Sequence, residues 1–190
     1  DGSLWAGTGN EGKVLKVGKD GKLSTFFDAS ELEVHALAAA PNGGLYVGTS
    51  PDGKIYQVAA DGTSKTFFDP EDKYIWSLAF RNGVLYAGTG EKGIIYRIPE
   101  AGKGEPWVDT DEVHVVSLTF TPSGDLLAGT DPGALVLRIG ADGKPFTLLD
   151  TPLQETHAIR VGPDGAIYAL TIASSAATTS SEGGSVSVEE

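Results

Sequence analysis

The chain has 190 residues, of which 26 are acidic and 14 basic, so its formal net charge is −12 with histidine counted as neutral. This length suits one ordinary domain, and the negative charge argues against nucleic acid and anionic membranes as partners, since both attract surfaces rich in lysine and arginine. With 40% hydrophobic residues and no cysteine, the composition is sufficient for a packed core and excludes disulfides, thiolate catalysis and cysteine metal sites.

No uninterrupted apolar run approaches the roughly 18 residues that span a bilayer, so we expect no membrane insertion. The sequence starts at Asp1 and contains no methionine, which indicates a processed or excised piece of a longer protein. The lack of cysteine leaves the redox compartment undetermined. We favour export to the periplasm or the extracellular space.

A short apolar phrase near the start of the chain recurs along it. The copies are Leu4 to Thr8, Leu45 to Thr49, Leu85 to Thr89 and Leu126 to Thr130, and a fifth begins at Ile167. The second position of the phrase steps from 5 to 46, 86, 127 and 168, which are intervals of 41, 40, 41 and 41 residues. Repetition at this period is typical of repeat architectures.

Turn residues keep the same period. Glycine after aspartate or asparagine between apolar runs predicts a tight hairpin, because such turns need positive φ. The two glycine series are Gly2, Gly43, Gly83, Gly124, Gly165 and Gly21, Gly62, Gly102, Gly143. One aspartate closes each unit, at Asp28, Asp69, Asp109 and Asp150. We predict a structural role for these aspartates, as acceptors for loop N–H groups where the outer strand turns back.

The segments between the turns have the length and composition of strands. One unit reads as residues 76–80, 84–89, 94–98 and a run that ends at Asp109, and no segment has the periodicity of a helix. We predict an all-β fold, a β-propeller with four-stranded antiparallel blades and a repeat of about 41 residues. The rival, a leucine-rich solenoid, has a shorter period and one strand per repeat.

The phase of the repeat predicts three complete and two partial blades, as an open fragment or as part of a larger ring. We assign residues 1–171 to the blades, with repeats at 3–43, 44–83, 84–124 and 125–165 and a partial repeat at 166–171. Residues 172–190 are small and polar, which predicts a low-complexity tail or linker, and we expect no docked strand in residues 174–190. Open edges predict self-association or association with the remaining blades.

Residues 7–12 and 88–93 both match the dinucleotide fingerprint G-x-G-x-x-G. That fingerprint requires the glycines to open a helix whose N–H groups meet a pyrophosphate, whereas here strand-like runs follow. We interpret both matches as hairpin turns. We expect no cofactor and identify no catalytic residue.

The loop after each closing aspartate differs among repeats that agree elsewhere. The positions five and seven residues after each aspartate fall where the inner strands begin, at one mouth of the central channel. Because residues two apart in a strand share a face, the side chains at these two positions point to the same side of the sheet. The variable residues there are Glu33, His35, Tyr74, Trp76, His114, Glu155 and His157. We predict a ligand or partner surface; packing between blades is the alternative, and we assign no metal, with His35, His114 and His157 as weak candidates.

Residues 40–49 and 53–58 and the Asp61-Gly62 turn resemble bacterial propellers of the WD-like and NHL-like superfamily, although the Gly-His and Trp-Asp dipeptides of true WD repeats are missing. The resemblance covers about residues 1–171. It implies a binding scaffold or, less often, a gluconolactonase-like hydrolase or a virginiamycin-lyase-like lyase. Gluconolactonase-like enzymes hold a divalent cation with Glu, Asn and Asp, and that set is incomplete here.

From these observations we predict a non-enzymatic binding scaffold that takes a protein or a small ligand at the channel mouth. A metal-assisted hydrolase or lyase is the first alternative. The sensor domain of a bacterial surface receptor is the second.

Overall fold

A computed structural model describes residues 2–173 of the chain. The expectation for residues 174–190 lies outside them. The strands are β1 (Leu4–Gly7), β2 (Lys13–Val17), β3 (Leu23–Asp28), β4 (Glu33–Ala39), β5 (Leu45–Ser50), β6 (Ile55–Val58), β7 (Ser64–Phe68), β8 (Ile75–Arg81), β9 (Val84–Thr89), β10 (Ile94–Ile98), β11 (Glu105–Asp109), β12 (His114–Phe120), β13 (Leu126–Asp131), β14 (Val136–Ile139), β15 (Pro145–Leu149), β16 (Glu155–Val161) and β17 (Ile167–Ile172).

Each strand pairs antiparallel with its neighbour in sequence. The sheets are β1–β3, β4–β7, β8–β11, β12–β15 and β16–β17, so three have four strands and the two terminal sheets are incomplete. Within residues 2–173 the only helical element is a single 3₁₀ turn at Pro41–Gly43. The prediction of an all-β chain with three complete and two partial four-stranded units is confirmed. In the same residues, no helix has the length and hydropathy needed to cross a membrane.

The tight turns follow the glycine and aspartate pattern. At the β6–β7 turn, Asp61 Oδ1 accepts hydrogen bonds from the backbone N–H (2.9 Å) and the hydroxyl (2.7 Å) of Thr63, and Gly62 has φ +86°. These hydrogen bonds favour the ionised carboxylate and lower the pKa of Asp61. The same hydrogen bond, in which the backbone N–H two residues later donates to the aspartate Oδ1, forms at Asp20, Asp142 and Asp164.

The closing aspartates lie at the end of the outer strand and are exposed. Asp69 Oδ1 accepts the N–H of Glu71 at 3.1 Å, and Asp109 Oδ1 accepts the N–H of Asp111 at 3.1 Å. Both donor residues have positive φ, 62° at Glu71 and 59° at Asp111. In these two repeats the carboxylate therefore supports the loop in which the chain turns toward the next inner strand.

The hydrophobic core lies between adjacent sheets. Ile55, Ile75 and Leu85 form one cluster at the junction of the second and third sheets, and all three are fully buried. A glycine of the second strand allows each junction to close. A Cβ on Gly48 would lie 2.5 Å from Ile75 Cγ2, and one on Gly129 would lie 2.6 Å from the carbonyl oxygen of Thr156. Only a residue without a side chain permits this approach.

The inner strands β4, β8, β12 and β16 lie next to one another and contact in that order. Hydrogen bonds join neighbours: Ser77 Oγ donates to the carbonyl of Val115 at 2.8 Å, and the N–H of Ile159 donates to Ser117 Oγ at 3.1 Å. This row of strands forms the concave wall on which the candidate site lies.

Candidate functional site

Each inner strand carries a β-bulge near its start. The pairing with the second strand skips one residue in every case, and the skipped residues are His35, Trp76, Val116 and His157. A bulge leaves a residue out of the ladder and redirects its side chain. All four residues line one cavity of about 500 Å³ on the concave wall.

The cavity brings together most of the residues predicted from the sequence. His35, Trp76, His114, Glu155 and His157 line it. The other two predicted residues contact the lining: Glu33 bonds to His35, and the Tyr74 ring stacks on Trp76. The lining also includes Asp131 and Arg160, neither of which was predicted from the sequence.

Glu33, His35 and Ser50 form a closed polar triangle. His35 Nε2 lies 2.9 Å from Glu33 Oε2 and 2.8 Å from Ser50 Oγ, and Ser50 Oγ donates to Glu33 Oε2 at 2.9 Å. A catalytic serine needs a base on one ring nitrogen and an orienting acid on the other. Here both groups meet the same nitrogen, and Ser50 is fully buried, so the arrangement does not activate a nucleophile.

A ladder of rings crosses three sheets. The Trp76 ring lies 4.4 Å from the His35 ring and 5.7 Å from the His114 ring, centroid to centroid, and Tyr74 stacks on it at 5.1 Å with an interplanar angle of 8°. Trp76 is half-buried. The ladder therefore joins β4, β8 and β12 at the same level as the cavity.

The hydrogen bonds of His114 determine its tautomer. Its Nδ1 accepts the indole N–H of Trp76 at 3.1 Å and the backbone N–H of Glu91 at 3.3 Å. Both partners can only donate, so Nδ1 carries no proton and the hydrogen of the neutral ring is on Nε2. His114 therefore enters the cavity lining with an Nε2–H donor.

Glu155 and His157 repeat the acid–imidazole pair in the last sheet. His157 Nδ1 lies 2.6 Å from Glu155 Oε1, and the His157 side chain is 60% exposed. A carboxylate only accepts, so the Nδ1–H of His157 donates to it. This pair lines the cavity from β16, the inner strand next to β12.

Asp131 and Arg160 complete the polar lining. Asp131 lies directly opposite His114 in the β12–β13 register, and its Oδ1 is buried without a hydrogen-bond partner among the described residues. Arg160 Nη1 donates to the carbonyl of Ile159 at 2.7 Å. The sequence contains one signal for Arg160, since the equivalent inner-strand positions hold Ala38, Ala79 and Thr119.

The cavity has an acidic character. Asp131 and Glu155 line it, Glu33 adjoins it, and Arg160 is the cation in its lining. With histidine counted as neutral, three carboxylates face one guanidinium. Within residues 2–173 no three histidine, aspartate or glutamate side chains lie close enough together to hold a metal ion.

Glu112 is a further carboxylate near Asp131, outside the cavity lining. Burial raises the pKa of the Glu112 carboxyl above its ordinary value of 4.5, and the nearby carboxylates of Asp131, Asp150 and Asp111 raise it further. The charged form is thus less favourable in the folded chain than in the unfolded one.

Glu112→Gln should therefore stabilise the protein at pH 7. The pKa of Glu112 is higher in the native state than in the unfolded state, so between pH 4.5 and the raised pKa the native state binds more protons than the unfolded state. The free energy of unfolding of the wild type therefore falls as the pH rises through that range. The variant lacks this loss. Urea unfolding at pH 7 and at about pH 4 should show its advantage at the higher pH alone. An equal difference at both pH values would contradict the assignment.

No protein-family model and no curated protein sequence matches the chain. Solved structures do. Virginiamycin B lyase from Staphylococcus aureus aligns with a TM-score of 0.76 and 19% identity over 89% of this chain and 59% of its own. The WD40 β-propeller domain of Doa1 aligns with a TM-score of 0.76 and 18% identity over 89% of this chain and 57% of its own.

Regucalcin from Agrobacterium tumefaciens, a calcium-binding protein, aligns with a TM-score of 0.71 and 20% identity over 87% of this chain and 62% of its own. The chain thus spans less than two thirds of the length of these three proteins. At such identities the likeness defines the fold alone. The predicted resemblance to β-propellers is confirmed, and the five sheets of residues 2–173 are propeller blades that do not close into a ring.

Proposed function

We propose that the protein is a non-enzymatic binding module whose mouth cavity holds the positively charged group of a small ligand. The observation that carries this proposal is the excess of carboxylates around a cavity of about 500 Å³. A volume of this size suits a small organic molecule. A cation there gains from Asp131, Glu33 and Glu155 together, whereas the lining offers an anion one cationic side chain, Arg160, with histidine counted as neutral.

The hydrogen-bonding groups favour the same ligand class. Asp131 Oδ1 is a buried acceptor without a hydrogen-bond partner among residues 2–173, and leaving such a group unpaired costs free energy. An ammonium or guanidinium group in the cavity compensates the negative charge of this carboxylate. The Nε2–H of His114, on the opposite strand, suits an adjacent acceptor of the ligand.

A metal-assisted hydrolase or lyase remains the alternative in the enzyme class, because the fold is shared with a lyase and a calcium-binding protein. The described residues offer no three-ligand metal cluster, and Ser50 is not arranged as a nucleophile. A sensor domain of a bacterial surface receptor would use the cavity in the same way as a binding module.

Calorimetric titration with agmatine, which carries a guanidinium and a primary amine, tests the proposal. We expect saturable binding, and Asp131→Asn should weaken it about tenfold, since a hydrogen bond to a charged group contributes about 1.5 kcal/mol or more. Glu100→Gln is the matched control, because Glu100 is an exposed carboxylate outside the cavity lining. Its affinity should equal that of the wild type.

The dianion glutarate and the chelator EDTA complete the experiment. Glutarate should not bind, and EDTA should leave the affinity for agmatine unchanged. Binding of glutarate as strong as that of agmatine, or equal affinities of wild type and Asp131→Asn, would refute the cation site. Loss of binding with EDTA would instead support the metal-dependent alternative.

A further inference from the structure

Within residues 2–173 the fifth blade ends at a strand edge that has no partner. β17 pairs with β16 on one side, and among residues 2–173 no strand pairs with its other edge. In the other four blades the equivalent strand carries a third strand there: β2, β6, β10 and β14 pair with β1, β5, β9 and β13. An edge of this kind is a template for another strand.

Side chains on β17 are more exposed than side chains at the same repeat positions in the complete blades. Tyr168 is 61% exposed, whereas Tyr46, at the same repeat position, is 4% exposed. Ile167 is 41% exposed, whereas its equivalent Leu85 is fully buried. In the second blade, Phe67 of the fourth strand covers Tyr46, with ring centroids 4.8 Å apart. Phe80 of the next inner strand also contacts Tyr46, with ring centroids 5.4 Å apart. The cover that is missing from Tyr168 therefore includes a third and a fourth strand of its own blade and the inner strand of a next blade.

The register of the other blades specifies the sequence of the missing third strand. Opposite the equivalents of Ile167 lie Val17, Val58, Ile98 and Ile139. Opposite those of Tyr168 lie Lys16, Gln57, Arg97 and Arg138. Opposite those of Ala169 lie Leu15, Tyr56, Tyr96 and Leu137. A strand that fits beside β17 therefore has, in chain order, Leu or Tyr, then a long polar residue, then Val or Ile.

Leu170 restricts how any occupant approaches. It occupies the repeat position of Gly48, Gly88 and Gly129, where a Cβ would collide with the next inner strand. A further blade therefore cannot pack on β17 through the junction that the earlier blades use. Pairing along the backbone edge of β17 does not meet this obstacle, because it adds residues beside the strand and not over its face.

We propose that the free edge of β17 binds a β-hairpin from a polypeptide segment outside residues 1–190, and that the first strand of this hairpin has the pattern just derived. Backbone hydrogen bonds supply the affinity, and the side chains opposite Ile167, Tyr168 and Ala169 supply the specificity. The sequence of residues 174–190 does not have this pattern, since it contains neither Leu nor Tyr for the first position. The chain's own hairpins with this pattern are already paired in their blades.

The probe is a peptide with the sequence of residues 94–109, which form β10 and β11, closed by a disulfide between cysteines added at its ends. Closure reduces the entropy lost on binding, since an isolated hairpin is only marginally stable. Fluorescence anisotropy should show saturable binding to the full chain. Amide exchange should show new protection in residues 167–172. The same closed peptide with Tyr96→Pro should not bind, because proline removes a ladder donor.

Two protein variants locate the site. Tyr168→Lys places a cation opposite Arg97 of the peptide and should weaken binding about fivefold, because like charges directly opposite each other repel. Leu4→Lys, an exposed residue on the other open edge, should leave the affinity unchanged. Equal binding of the two peptides, equal affinity of Tyr168→Lys and wild type, or no saturable binding overturns the proposal. A dimer of the chain by sedimentation, with β17 protected in the dimer, would overturn it in favour of a second copy.

Discussion

Gly88→Val should lower the free energy of unfolding by about 3 kcal/mol. A Cβ at Gly88 would lie 2.5 Å from Ser77 Oγ and 2.7 Å from both Val115 Cγ1 and the Val115 carbonyl oxygen. Overpacking a tight interface costs about 1–3 kcal/mol, and displacement of the buried bond from Ser77 Oγ to the Val115 carbonyl adds about 1 kcal/mol. Urea unfolding followed by circular dichroism measures the loss.

Gly9→Ala is the matched control for this prediction. No atom lies within 4 Å of a Cβ built on Gly9, and its φ lies outside the left-handed region. The control should change stability by less than about 0.5 kcal/mol. A Gly88→Val protein with the unfolding midpoint of the wild type would show that the blades separate at this junction without cost, contrary to the close packing described.

Trp76→Ala should lower the stability by about 3 kcal/mol, the size expected for removal of a large aromatic side chain from a packed site. Trp76 contacts the rings of Tyr74, His35 and His114, and so connects three inner strands. A thermal melt of the variant should show a clear fall in the melting temperature.

Trp76→Phe separates packing from hydrogen bonding. The smaller ring keeps the stacking on Tyr74 but loses the indole N–H that His114 Nδ1 accepts, which should cost about 1 kcal/mol. An unchanged melting temperature for Trp76→Ala, together with weaker agmatine binding, would make Trp76 a ligand contact and not a packing residue. The predicted channel-mouth surface would then include it directly.

The strand order of this protein could be predicted from its sequence because local signals repeat. Each Asp-Gly or Asn-Gly turn specifies a hairpin through its own backbone and side chain, as Asp61 and Gly62 do at the β6–β7 turn. Short loops force sequence neighbours to pair, so blades of four antiparallel strands follow from the period alone. The start of the inner strands, where Glu33, Tyr74 and Glu155 lie, follows from the same count.

The candidate site could be predicted only in part. The variable positions identified the region of the cavity. Asp131 was missed because the residues at the same repeat position in other blades, Ser50 and Gly90, have unrelated side chains, so no pattern marks this position. The sequence shows that the junction glycines, such as Gly88, recur in each repeated phrase, but it does not show why glycine is needed there. That reason is the next inner strand, which is distant in sequence.

What the sequence by itself determined is the repeat: the strand boundaries, the turn residues and the all-β class, since each depends on interactions within one hairpin. Only the tertiary structure decided which side chains meet. The bulges at His35 and Trp76 depend on the partner strand, and the ring ladder and the cavity depend on the rotation between adjacent sheets. Contacts between blades join residues about 40 positions apart, and no local pattern encodes the angle at which two packed sheets meet.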